Sequence, residues 1–363
     1  MPLAAVWLGR LPGAADDALV RGLSYAIFLS CLVPLIFGGK IYNALEKVMV
    51  VKLVLVLSYL GLVALLWVSW DTWWEIGTGL FRFGALPERD FNWAALAAFS
   101  AVAGAGGLTN MLFSNYARDK GWGMGPKVGA IPSAIGGRQI ALSHTGKVFT
   151  LDAESLARWR GWLRHIRRDQ LALWAPGCLL GMALPALFSY QYIRGVPSVE
   201  GHALAAMTAE AMAARHGALF WYLTLLCGFL IMAPTQVGQI DGMCRRWTDV
   251  IWTGVRRLHR LEGHKVKYVY YAILAAYALW GLVALRLTPN PMVLAIASGV
   301  MMNFALAVSA LHTLYVLTTL LPPALRPGGL MRLGLVACAA FYFAISAIAF
   351  RQQWPKVAAW LGW

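Results

Sequence analysis

Apolar positions fall into eight long runs, at about 23–38, 48–68, 93–117, 171–193, 218–238, 268–287, 291–321 and 331–350, with polar segments between them. An α-helix of about 20 apolar residues crosses roughly 30 Å of hydrocarbon. Most of the runs reach that length; the first is short and holds Pro34. None alternates strictly with period two, which argues against an outer-membrane β-barrel. The pattern predicts an all-α polytopic membrane protein of about eight transmembrane helices, a single transmembrane domain over 1–363. One sizeable extramembrane segment, 118–170, interrupts it.

Composition sharpens the class. Hydrophobic residues make up 60% and charged residues 13%, against about 45–50% and 25% in soluble domains. Disordered, collagen-like and ordinary soluble enzyme chains are excluded. The net charge of +15 raises nucleic acid as a partner, but no basic stripe interleaved with stacking aromatics occurs, and none is expected. The charge sits instead in alternate loops. Segment 118–170 carries ten Lys/Arg against four Asp/Glu, and the loop after the fifth run is also basic, whereas 69–92 is acidic. By the positive-inside rule, loops one, three and five are cytoplasmic and both termini lie outside. The expected location is the bacterial inner membrane. The five cysteines show no CxxC or Cys/His ligand spacing, so they read as packing thiols. The first ten residues lack the basic and apolar regions of a signal peptide.

The 118–170 segment has a glycine-rich first half without GxGxxG or GxxxxGK[ST], so it reads as a connector, with a small hairpin through 139–143 and 147–151. Residues 156–168 form an amphipathic pattern, Trp159, Trp162, Leu163 and Ile166 among five arginines. Two placements fit it equally: a helix lying beside anionic headgroups in the inner interface, or a basic leader into the next span.

Polar groups inside a membrane are costly, so they carry the functional signal. The third run is the richest. Gly104, Gly106 and Gly107 precede Thr109 and Asn110, with Ser114 and Asn115 following. Glycines weaken a helix by about 1 kcal/mol each relative to alanine, and an unwound span frees carbonyls for an ion or substrate. A small-residue packing face is the alternative. Gln236 in the fifth run, and Asn303 and His312 in the seventh, are possible cavity or coupling groups. Asp241, Arg245 and Asp249, spaced four apart, can pair on one helix face at a cytoplasmic helix end or gate. No GxSxG, HExxH or Cys–His arrangement lies at a membrane face, so no enzyme is expected.

The run Lys40-Ile-Tyr42-Asn-Ala-Leu45-Glu46-Lys47 resembles the opening of the fifth helix of Nramp-type divalent metal transporters. The third run, with its glycines, Asn110, and then Ser114-Asn115-Tyr116-Ala-Arg118, is similar to that family's broken sixth helix. The resemblance implies a LeuT-like inverted-repeat bundle in which these eight spans are helices four to eleven. The first repeat would then be incomplete, the missing helices being cut from the reading frame or supplied by another chain, and the chain alone would not transport. It further implies a divalent cation as substrate, held at Gly104, Gly107, Thr109 and Asn110, with proton coupling possible and no resident cofactor. Aligning on Asn110 puts Gly107, Leu108 and Thr109 where the family has Met, Pro and His. Such an oxygen-rich site suits harder ions such as magnesium. The leading expectation is a secondary transporter of divalent metal cations. The rivals are an organic-solute carrier on the same scaffold and a non-transporting membrane assembly subunit docking through its basic loop.

Overall fold

The computed structural model describes residues 2–36, 41–82, 91–103, 110–125, 148–196, 206–262, 265–287 and 291–361. Every regular element among them is helical. In chain order these are α1 (Pro2–Leu8), α2 (Asp17–Ile36), α3 (Ile41–Trp67), α4 (Trp70–Gly79), α5 (Trp93–Val102), α6 (Asn110–Asp119), α7 (Ala153–Asp169), α8 (Ala175–Ile193), α9 (Met207–His216), α10 (Ala218–Gly254), α11 (Val266–Leu287), α12 (Pro291–Thr319) and α13 (Gly329–Leu361). Short polar side chains start several of them by occupying orphan amides. Asn92 accepts the Ala95 N–H at 3.0 Å to open α5, and Asp152 accepts that of Ser155 at 2.7 Å to open α7.

Seven stretches among the described residues are long and apolar enough to cross a membrane: Asp17–Ile36, Glu46–Trp67, Ala153–Ile193, Ala218–Gly254, Val266–Leu287, Ile296–Thr319 and Gly329–Pro355. The chain is therefore an all-α, polytopic integral membrane protein. Seven of the eight apolar runs coincide with these helices. The remaining run, 93–117, does not form one long helix among the described residues. It yields α5 and α6, each ten residues and so about 15 Å long, half the hydrocarbon thickness. At the end of α5 the backbone of Ala103 leaves the helix, with φ −57° and ψ 132°.

Helix ends outside the membrane extend further than the apolar runs suggest. A single π-turn, Gln170–Trp174, joins α7 to α8, giving 41 helical residues, about 60 Å. The basic segment 156–168 is thus a helical leader built into the fourth span. Of the expected hairpin, 139–143 lies outside the described residues, and 148–151 has no regular structure.

The sequence pattern treats 1–363 as one domain; the packing divides the chain into two compact units. One comprises Met1–Arg82, Met111–Lys147 and Leu180–Pro289, the other Phe83–Asn110, Val148–Leu179 and Asn290–Trp363. In the first, α10 is the central post, touching α1, α2, α3, α9 and α11. One side of it is closed by Val56, Leu60, Val63, Leu187 and Phe188 around Cys227, the other by Cys31, Leu35, Tyr270 and Leu274 around Ile240. In the second unit α5, α12 and α13 pack on one another. There Gly299 of α12 lies against Ala98 of α5 so closely that an added Cβ would come 2.6 Å from the Ala98 Cβ. Small residues at such crossings let helix backbones approach where lipid supplies no hydrophobic drive.

Candidate functional site

The polar groups of the first unit gather along α10, around a helix defect. Pro234 has no N–H to give the carbonyl one turn earlier, which loosens the ladder locally. Beside it, the Thr235 hydroxyl donates back to the Ile231 carbonyl at 2.6 Å. Lys52, six residues into the apolar part of α3, brings its Nζ to the Thr235 Oγ1 at 2.7 Å and the Ile231 carbonyl at 3.4 Å. The Cys31 Sγ of α2 lies 3.8 Å from the Ala233 carbonyl. Gln236 points its Nε2 toward the Tyr277 Oη of α11, at 3.5 Å.

Two turns further along α10 lies a buried carboxylate, Asp241. Both its oxygens accept from the Arg245 Nε at 2.9 Å. Tyr270 of α11 donates to it at 2.8 Å, and Tyr116 of α6 at 3.2 Å. A buried charge survives when it is paired and its remaining lone pairs are satisfied, and Asp241 meets both conditions. Further toward this end, Arg118 approaches Asp249 at 3.7 Å, and the Lys120 Nζ meets Glu46 at 2.5 Å. The tip of α6 is therefore fastened to α3 and α10 by three charge-bearing contacts. At the opposite end of α10 a second polar group closes the packing. Tyr59 and Thr224 share a 2.6 Å hydrogen bond, and Tyr192 meets the His216 imidazole at 2.9 Å.

The predicted site residues fall as follows. Gly104, Gly107 and Thr109 lie outside the described residues. Asn110 opens α6, while its side chain lies outside them. Gln236 belongs to the α10 polar layer of the first unit. Asn303 is in the second unit and fully buried; its Nδ2 donates to the Ala97 carbonyl and its Oδ1 accepts from Ser100 at 3.1 Å. Both ends of that amide serve the α5–α12 contact. His312 is exposed on α12. Among the described residues no group of three or more His, Cys, Asp or Glu is placed to hold a metal ion.

Two features were not drawn from the sequence. Lys52 is a single cation inside the apolar run 48–68, and its position alone marks it as a costly group that needs a partner. The Asp241–Arg245 pairing follows from spacing, but Tyr116 and Tyr270 do not, being 125 and 29 residues away. Their signal was placement: both lie at ends of spans that the charge pattern puts on the same side as Asp241. No protein-family model, curated protein or solved structure matches the chain.

Proposed function

We propose that the chain is a secondary transporter of the bacterial inner membrane, with a divalent metal cation as cargo, on an Nramp-related, LeuT-like scaffold. One observation carries this reading. The third apolar run, long enough for one span, holds two ten-residue helices among the described residues, the first ending where the Ala103 backbone turns out of it and the second opening at Asn110. Helices broken near the midplane present carbonyls and helix ends to ions and substrates, and packing alone does not call for them. The fastening of α6 to α3 and α10 through Lys120, Arg118 and Tyr116 supports a gating role for that half-helix. Its release opens one end of the unit without disturbing the apolar core. The test is binding of labelled Mn²⁺ and Mg²⁺ to the protein in proteoliposomes. Saturable binding abolished by Asn110→Leu, with expression near normal, is the expected result. Binding that Asn110→Leu leaves intact removes the third run from the mechanism.

A second reading, an organic-acid carrier, is favoured by Lys52. Among the described residues its ammonium is held by a hydroxyl and a carbonyl and by no carboxylate, which leaves one of its three donors for an anionic substrate group. Carboxylate binding lost in Lys52→Met, with cation binding absent, selects this reading over the first.

A further inference from the structure

Four arginines of α7 form a stripe that no described residue neutralises. Arg160, Arg164, Arg167 and Arg168 are spaced three, four and seven apart, which places them on one face of the helix. All four are exposed, and none forms an ion pair among the described residues. The fifth arginine, Arg158, lies off the stripe and pairs with Glu154 one turn earlier. Like charges at i,i+3 and i,i+4 repel and destabilise a helix. Basic residues in a last turn are normally compensated by the negative end of the helix dipole. Here that compensation is missing, because α7 does not end at Asp169 but runs through the π-turn into α8. Trp159, Trp162 and Ile166 lie on the other side of the helix, and no residue of α7 is buried.

Depth supplies the missing anion. Counting about 20 residues back from Ile193 at 1.5 Å each brings the hydrocarbon boundary near Trp174. Arg168 and Arg167 then lie about 10 Å beyond it and Arg164 about 15 Å, within side-chain reach or one Debye length of the headgroups. We propose that the Arg164–Arg167–Arg168 face of α7 is a binding surface for acidic phospholipid headgroups, which act as its counter-ions. The phosphate of the lipid accepts the guanidinium hydrogen bonds, and the bilayer positions α7 through it. This assignment depends on the chain spanning a membrane and not on what it carries.

The experiment uses the full chain in phosphatidylcholine bilayers with spin-labelled lipids. The association of phosphatidylglycerol relative to phosphatidylcholine is read from the immobilised fraction. The wild type should prefer phosphatidylglycerol, and added salt should erode the preference. Basic residues at an anionic surface are each worth about fivefold. The Arg164/Arg167/Arg168→Gln triple variant should therefore lose at least about fivefold, and the corresponding Lys variant should retain most of the preference. Arg158→Gln should change nothing. Should the triple variant misfold, the single Arg168→Gln variant carries the same test. An unchanged preference in the Gln variants overturns the proposal. So does abolition of the preference by inorganic phosphate at an ionic strength where chloride leaves most of it, which indicates a soluble-phosphate site, or by a short RNA at low salt, which indicates nucleic acid.

Discussion

Asp241 shows what a membrane interior demands of one carboxylate. It is buried, takes Arg245 along its own helix, and draws Tyr116 and Tyr270 from two others. Asp241→Asn keeps the size and an acceptor but removes the charge that faces the Arg245 guanidinium. Breaking a buried pair by changing one partner costs about 3–5 kcal/mol, so the thermal midpoint in detergent should fall markedly. The double change Asp241→Leu with Arg245→Met removes both charges and should recover much of the loss, since a well-packed apolar pair often equals a buried ion pair. A double variant as unstable as the single one means the tyrosine hydrogen bonds, not the charge pair, hold the layer. Gly299 offers the steric counterpart. With the Ala98 Cβ 2.6 Å from where its own Cβ would be, Gly299→Leu must push α5 from α12, at a cost of about 1–3 kcal/mol for overpacking. Gly177→Leu on α8, where an added Cβ meets nothing within 4 Å, is the matched control. The sequence names both members of the Asp241–Arg245 pair because helical spacing is local. It does not single out Gly299 or the two tyrosines, because their significance lies in contacts that only folding creates.

At the scale of elements, apolar runs predict where helices cross hydrocarbon, and less well where helices stop. Residues 239–254 of α10 and all of α7 are helical without being apolar, so no hydropathy boundary marks them. The Pro34 of α2 and the Pro234 of α10 sit within helices that continue past them, because packing against neighbours outweighs the lost hydrogen bond. The third run is the reverse case, apolar enough to span yet not one helix among the described residues. Gly104, Gly106 and Gly107, which the sequence singles out there, lie outside the described residues. The start of α7 has its own pH dependence. The Ser155 N–H, with its hydroxyl, holds the Asp152 carboxyl below the usual carboxylate range. A carboxyl depressed in the folded state stabilises fully above its unfolded value, about 3.9. That contribution is lost as pH falls through the folded value. The amides of the first turn of α7 should therefore exchange faster only below about pH 4, and Asp152→Ala should show the fast exchange at neutral pH as well. Hydrogen exchange of the Ser155 region measures both. Equal protection in the two proteins at neutral pH removes Asp152 as the cap.

On the scale of the whole molecule, sidedness is the property that charge counting and packing address from independent directions. Alternation of basic and acidic loops places loops one, three and five on a common side. Within the first unit, Glu46 at the start of α3 meets Lys120 just beyond α6, and Arg118 of α6 meets Asp249 near the end of α10. These contacts join the end of α6 to the start of α3 and to the end of α10. The opposite ends of α3, α8 and α10 meet through Trp67, Tyr192 and Phe220, all packed on His216 at the end of α9. Residues that touch at one face must be separated by an even number of crossings; an odd number would bring a loop of one side against a loop of the other. Single cysteines at Glu46, Lys120 and Glu262, on a background lacking the native cysteines, should therefore share one accessibility. A membrane-impermeant maleimide should label all three in inside-out vesicles and none in intact cells. A cysteine replacing Arg194, beyond the far end of α8, should show the opposite pattern. Mixed labelling among Glu46, Lys120 and Glu262 breaks the span alternation itself. Uniform labelling from outside keeps the alternation and inverts the orientation, moving the arginine face of α7 to the outer leaflet.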